Sequence, residues 1–214
     1  MFIYFFQIRN KKLIIEQKTI SIQHTDRSLE DIQFIWISNI GDKKISKEDI
    51  QKVCTNNTII ILSGYSRKKI NKIYSKNIDL VSALAPVYFI WGPSDYNGNF
   101  RDLNALLLER KITILENTNA LFETDFGSKF TLIGLDEVES NRDSINFALD
   151  TIQNNSLNIL CSYTEIEDST LIEFDMIQIY LFNKRNPNAK RNNKTMYVQL
   201  NNKNEHIYSL NLKD

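Results

Sequence analysis

The sequence predicts an α/β domain, and three observations carry that expectation. Val87 to Trp91 is an unbroken apolar run, β-branched and aromatic, set between Pro86 and Gly92, which is the pattern of a strand buried on both faces. Gly92-Pro93-Ser94-Asp95 stops it and Asn97-Gly98-Asn99 keeps the chain turning. Leu103, Leu106, Leu107 and Leu108 then fall at amphipathic helical spacing. Ile112 to Leu115 reads as a second strand. Strand, loop, helix, strand is the βαβ unit, whose sites gather in loops at the carboxyl ends of the strands.

The remaining elements follow in order. Phe2 to Arg9, Leu13 to Gln17 and Thr19 to His24 read as strands, with a turn at Arg9 to Lys12 between the first two. Both faces of Phe2 to Phe6 are apolar, which suits a central strand better than an exposed edge. Phe34 to Ile37 is a buried strand running into Ser38-Asn39-Ile40-Gly41-Asp42. Ser46 with Asp49 three residues on predicts a capped helix through Val53. Thr58 to Leu62 is a strand ending in Ser63-Gly64-Tyr65, and Ile70 to Leu84 a helix closed by Pro86. Leu121 to Glu123 and Phe130 to Ile133 form a hairpin, Ser144 to Gln153 a helix, and Leu157 to Ser162 a strand ending in Tyr163. Asp168 to Phe174 is a short helix and Met176 to Phe182 a strand. A polar loop spans Lys184 to Lys194, and Met196 to Leu200 and His206 to Leu212 alternate as antiparallel strands. With no internal repeat and no Pro/Gly-rich linker, residues 1–214 are expected to form one domain.

Composition excludes several function classes. Lys and Arg number 26 and Asp and Glu 26, so no bulk field draws the chain to nucleic acid or membrane. Cys54 and Cys161 lie far apart with no CxxC spacing, which fits buried free thiols in a reducing compartment and neither a disulfide framework nor a zinc site. MFIYFF is too short to span a bilayer, and its positive charges follow the apolar run, so neither signal peptide nor anchor is expected and the cytoplasm is the default location.

The central stretch resembles the calcineurin-like metallophosphoesterase superfamily, in its compact bacterial branch. There a strand runs into Gly-Asn-His-Asp and is followed by a helix and a phrase close to Gly-Ile-Thr-Val-Leu-Glu-Asn. Here the loop is Gly92-Pro93-Ser94-Asp95 and the phrase runs from Lys111 to Asn117. The resemblance covers Phe34 to the end. It implies two packed mixed sheets flanked by helices, an α-β-β-α sandwich. It also implies a two-metal site, with Mn or Fe/Zn, built from loops at strand ends, because phosphoester hydrolysis needs a metal-generated hydroxide and cations on the attacking and leaving oxygens.

The matching positions are degenerate. Asn39 and Gly41 stand where the family has Asp and His, and Tyr65 where a carboxylate bridges the metals. Pro93 and Ser94 replace the Asn ligand and the acid His, Tyr163 replaces a ligand His, and Leu181 and Asn183 fall near a Gly-His-x-His motif. Ser38, Gly64, Gly92 and Asp95 are retained. The chain's two histidines, His24 and His206, sit in strands away from these loops. The sequence is therefore expected to bind no metal and to be catalytically inactive.

Lys43, Lys44, Arg67, Lys68, Lys69, Lys184 and Arg185, with Lys190, Arg191 and Lys194, lie on loops that the resemblance brings to one rim, which suggests binding of a phosphate-bearing small molecule without hydrolysis. Tyr65, Tyr163, Tyr180 and Phe182 are expected to fill the emptied pocket or to meet a protein partner. Three readings follow. One is a binding or regulatory module, another is an active phosphoric ester hydrolase using Asp42, Asp95, Asp136 and Glu137, and the third is a decayed gene product with no selected ligand.

Overall fold

The fold is described from a computed structural model over residues 14–21, 29–41, 43–65, 69–98, 100–152, 156–167, 176–189, 191–200 and 206–213. Two mixed sheets pack face to face. The first contains β1 (Ile14–Ser21), β2 (Gln33–Ser38), β3 (Thr58–Ser63), β4 (Val87–Ile90), β5 (Thr113–Ile114) and β11 (His206–Lys213), ordered β1-β11-β2-β3-β4-β5. The second contains β6 (Thr118–Glu123), β7 (Lys129–Gly134), β8 (Leu157–Thr164), β9 (Ile179–Lys184) and β10 (Met196–Gln199), ordered β10-β9-β8-β7-β6. The pairs β2–β3–β4–β5 and β7–β8–β9–β10 are parallel, while β11 runs antiparallel to β2 and β6 to β7.

Period-two alternation divides the core into layers. Phe34, Trp36, Ile59 and Ile61 of the first sheet meet Leu132, Ile159, Cys161 and Leu181 of the second between the sheets. Their neighbours Ile35, Ile37, Ile60 and Leu62 point the other way. Those residues pack under α1 (Lys47–Val53), α2 (Lys72–Ser82) and α4 (Phe100–Glu109), which contribute Ile50, then Tyr74, Ile78 and Val81, then Leu103 and Leu107. Beyond the second sheet, Leu160, Tyr180 and Phe182 pack against Ile145 and Ala148 of the one-turn helix α5 (Ile145–Ala148) and against Ile166 and Ile177. The architecture is thus two mixed sheets flanked by helices, as expected, with the helical layer thick on one side and thin on the other.

Local chemistry sets the boundaries. The Ser46 hydroxyl accepts the Asp49 N–H at 3.2 Å and starts α1 as predicted. The second helix begins later than expected, because the Asn71 side chain caps it by accepting the Tyr74 N–H at 2.8 Å. The helix expected over Ser144 to Gln153 is one turn only, since Thr151 sits at φ 67, a left-handed conformation that no helix interior admits. The strands expected at Leu13 and Thr19 are one continuous strand through Ser21 among the described residues. The two last strands are not each other's antiparallel partners. β10 pairs parallel with β9 at the rim of the second sheet, and β11 is inserted between β1 and β2 of the first. Alternation reports half-burial and not the choice of partner. The strand expected at Phe2 to Arg9 and the helix at Asp168 to Phe174 lie outside the described residues. No helix among those described is long and apolar enough to cross a membrane.

Candidate functional site

The carboxyl ends of β2, β3 and β4 in one sheet and of β8 and β9 in the other meet at one rim, where Asn39, Ser63, Gly64, Gly92, Tyr163 and Asn183 come together. Ser38 and Ser63 are register partners at the ends of β2 and β3. Asn39 follows with φ 45, Gly41 with φ 57, and Gly64 with φ 67, so both loops leave their strands through left-handed backbone.

Tyr163, near the end of β8, crosses from the second sheet to lie against these loops. A Cβ placed on Gly64 would stand 2.8 Å from its ring, and one on Gly92 2.7 Å. The two glycines therefore cradle the ring where any side chain would collide with it. The Asn39 amide, 6% exposed, donates to the Tyr163 hydroxyl at 2.7 Å. A second link lies deeper. The Trp36 indole N–H donates to the Asn183 carbonyl oxygen at 2.6 Å, and the Asn183 amide donates to the Ser63 hydroxyl at 2.9 Å. Both links bridge the two sheets with neutral groups, each buried polar atom finding its partner across the gap.

Asp95 anchors the loops from behind. It sits in α3 (Pro93–Tyr96), 3% exposed, and accepts the Tyr65 N–H at 2.6 Å and the Gly92 N–H at 2.8 Å. Burial pushes its acid up from the usual value to about 7, against the opposing pull of those two backbone donors. Pro93 opens the turn at a position that needs no N–H, and Ser94 is exposed on it.

The other aromatic replacements do not enter the rim, contrary to expectation. Tyr65 turns outward beyond Gly64, packs its ring at a tilt against Tyr74 with centroids 4.0 Å apart and donates its hydroxyl hydrogen to the Lys69 carbonyl at 2.8 Å. Tyr180 and Phe182 share the outward parity of β9, and their rings lie 5.2 Å apart beneath the far side of the second sheet. Leu181 and Asn183, of opposite parity, face inward. Period two separates these residues, and of the four aromatics Tyr163 alone crosses to this rim.

The basic residues are divided among surfaces. Lys44 lines a groove on the helical side with Lys76 and Ile73. Lys184, paired with Glu139 at 2.7 Å, and Arg185 line one cleft together with Asp143 and Glu167. The Lys69 carbonyl holds Tyr65, and Lys43 is half-buried with its carbonyl accepting the Asn77 amide. Arg191 bonds Glu165, which is 1% exposed, at 2.9 Å, and lies over the Tyr197 ring. Lys194 is exposed, and Asp42, Arg67, Lys68 and Lys190 lie outside the described residues.

The remaining carboxylates are held in turns. Asp136 takes the Tyr96 hydroxyl, the Arg142 guanidinium at 3.0 Å and the Glu137 N–H at 2.7 Å. Glu137 takes the N–H groups of Glu139 and Ser140, one on each oxygen, at 2.7 Å. The Tyr96 hydroxyl is pushed well above its ordinary range, by burial first and by Asp136 second. Among the described residues no group of three or more His, Cys, Asp or Glu side chains is placed to hold a metal ion. The two cations that the resemblance implies do not fit these rim residues, because the Tyr163 ring lies in the glycine cradle and the groups beside it are the Asn39 amide, the Tyr163 phenol and the Ser63 hydroxyl, none of them a carboxylate or an imidazole.

Asn39, Tyr163 and Asp95, singled out in the sequence by their matching positions, lie together at this end of the sheets. Sequence reasoning missed Trp36 and Ser63 as partners of Asn183, since an indole within an all-apolar strand gives no sign of the bond it makes.

No protein-family model matches this sequence, and no curated protein is significantly similar to it. Solved structures are similar in shape. Phosphopantetheinyl hydrolase (PptH) from Mycobacterium tuberculosis matches with a TM-score of 0.49 at 8% identity, over 80% of this chain and 89% of that one. The NAD nucleotidase (NadN) of Haemophilus influenzae matches with a TM-score of 0.48 at 17% identity, over 84% of this chain and 44% of that one. The chain thus spans less than half the length of the nucleotidase.

Proposed function

We propose that this chain is a phosphoesterase-like scaffold that binds without hydrolysing, a binding or regulatory module for a protein partner or a phosphate-bearing small molecule. One observation carries the reading: the Tyr163 ring lies in the cradle of Gly64 and Gly92 with its hydroxyl bonded to Asn39, where the family's chemistry needs two divalent metals. A neutral phenol and amide bonded to each other supply neither the charge that binds such ions nor a group that activates water at neutral pH. The reading assigns no catalytic residue and no cofactor. Asn39, Gly64, Gly92 and Tyr163 act as a seal, and Asp95 as the anchor of two loops.

Aryl-phosphate turnover and thermal unfolding, each with and without Mn²⁺, test the reading together. The expected outcome is no turnover above buffer and no metal-dependent rise in Tm, since a cation that does not bind the native state cannot stabilise it. Turnover that co-purifies with the chain, or a rise of several degrees in Mn²⁺, overturns the reading. Titration with nucleotides and sugar phosphates at low salt separates the two kinds of ligand, because a site for phosphate esters would bind them and a protein-binding surface would not.

A further inference from the structure

The opposite end of the sheets is open. Where β2, β3 and β7 begin and β6 ends, a cleft of about 260 Å³ enters between the two sheets. Ile32, Ile59, Pro86, Phe122 and Phe130 give it apolar wall, Asn56, Asn57, Thr58 and Thr124 give it polar wall, and three carboxylates, Asp31, Glu123 and Asp125, stand around it. Glu123 is paired with Lys129 at 3.8 Å, while no described cation pairs with Asp31 or Asp125. Phe126 lies at its edge and is 84% exposed, the most exposed large apolar side chain among the described residues. This exposure is built in. The hairpin turn is closed by Gly127 N–H donating to the Thr124 carbonyl at 2.9 Å, and Gly127 adopts φ 83 to make it.

Two features thus coincide, a slot of mixed lining whose apolar wall leads to a carboxylate rim, and an exposed ring held on an ordered turn. We infer that this cleft docks a basic segment of a protein partner, with one arginine side chain entering it. The methylene stem lies along the apolar walls, the planar guanidinium meets Asp31 and Asp125, and the Phe126 ring offers its face to the cation or to a neighbouring apolar residue of the partner. An ammonium would meet the carboxylates as a point charge, without the fork that two acids at one rim can share. The inference stands whether or not the far rim hydrolyses a phosphate ester, so the two proposals fail separately.

Fluorescence polarisation of a labelled, acetylated Gly-Leu-Arg-Leu-Gly peptide against the full chain at low salt tests it. The same peptide with citrulline in place of arginine keeps the shape and removes the charge. Binding is expected to weaken about tenfold with citrulline, and about tenfold in each of Phe126→Ala and Asp125→Asn. Phe147→Ala removes an equally accessible ring on the outer side of the second sheet and is expected to leave affinity unchanged within about twofold. All three positions varied are exposed, so the variants are expected to fold. Absence of binding up to about 1 mM peptide, equal affinity for citrulline, or indifference to both cleft variants overturns the inference. Competition by arginine amide as strong as by the peptide overturns it too, by reducing the cleft to a small-cation site.

Discussion

The two ends of the paired sheets face the same solvent and are finished in opposite ways. At the carboxyl ends, Asn39–Tyr163 and Trp36–Asn183–Ser63 stitch one sheet to the other and a ring fills the glycine cradle. At the amino ends the sheets part around a slot with acids at its rim and Phe126 left in water. Parallel strands bring loops of several strands together at both ends, so topology alone does not choose the working one. The difference lies in polar accounting. The carboxyl end joins its polar groups to each other, while the amino end keeps Asp31 and Asp125, with which no described cation pairs, and an uncovered aromatic, the features that a partner can still satisfy.

The largest expected effect tests whether the carboxyl rim is sealed. Asp95 is held protonated up to about pH 7 by burial, whereas an unfolded chain releases that proton near pH 4. Its contribution to stability is therefore complete below pH 4, falls as pH rises toward 7, and is flat above. The shift corresponds to a loss on the order of 3 kcal/mol across that window. Chemical denaturation between pH 4 and pH 8 should record the decline, and Asp95→Asn should flatten it. A wild-type profile with no slope in that window means water reaches the carboxylate and the rim is open.

Next in size is the ring itself. Tyr163→Ala empties the cradle and removes the hydroxyl that accepts from the buried Asn39 amide, a cost of about 2 to 4 kcal/mol for a half-exposed ring. Gly92→Ala on its own drives a Cβ to 2.7 Å from the ring and should cost about 1 to 3 kcal/mol. Combined, the two changes should cost less than their sum, because the atom that collides is gone. Strict additivity in that cycle would mean the ring does not rest on Gly92.

Much of the fold was legible because its strands are β-branched runs ended by Gly, Asn or Pro, and strand, helix and hairpin fell within a few residues of their places at Thr58–Ser63, Lys72–Ser82 and Thr118–Glu123. What the residues do not encode locally was misread. Tyr163 and Tyr180 are the same residue type on neighbouring strands, and one faces in while the other faces out. Both faces of β8 and β9 are apolar, so parity is fixed only once an inward residue such as Cys161 or Leu181 is known. Tyr65 escaped the same logic because left-handed Gly64 breaks the alternation just before it. The slot at the far end belongs to no motif. Its apolar wall includes Ile32, Phe122 and Phe130, which only the packing of the two sheets brings together.

The smallest effect is the most telling about that slot. Phe126→Ala removes a ring that water already surrounds, so its effect on unfolding free energy should stay within about 0.5 kcal/mol. Phe130, stacked on Phe122 at 4.5 Å and 4% exposed, gives the contrast, and its change to Ala should cost about 3 to 5 kcal/mol. A ring indifferent to stability yet held on a hydrogen-bonded turn has no work inside the fold. If Phe126→Ala proved as destabilising as Phe130→Ala in chemical denaturation, the ring would belong to the core, and the amino end would be as closed as the carboxyl end.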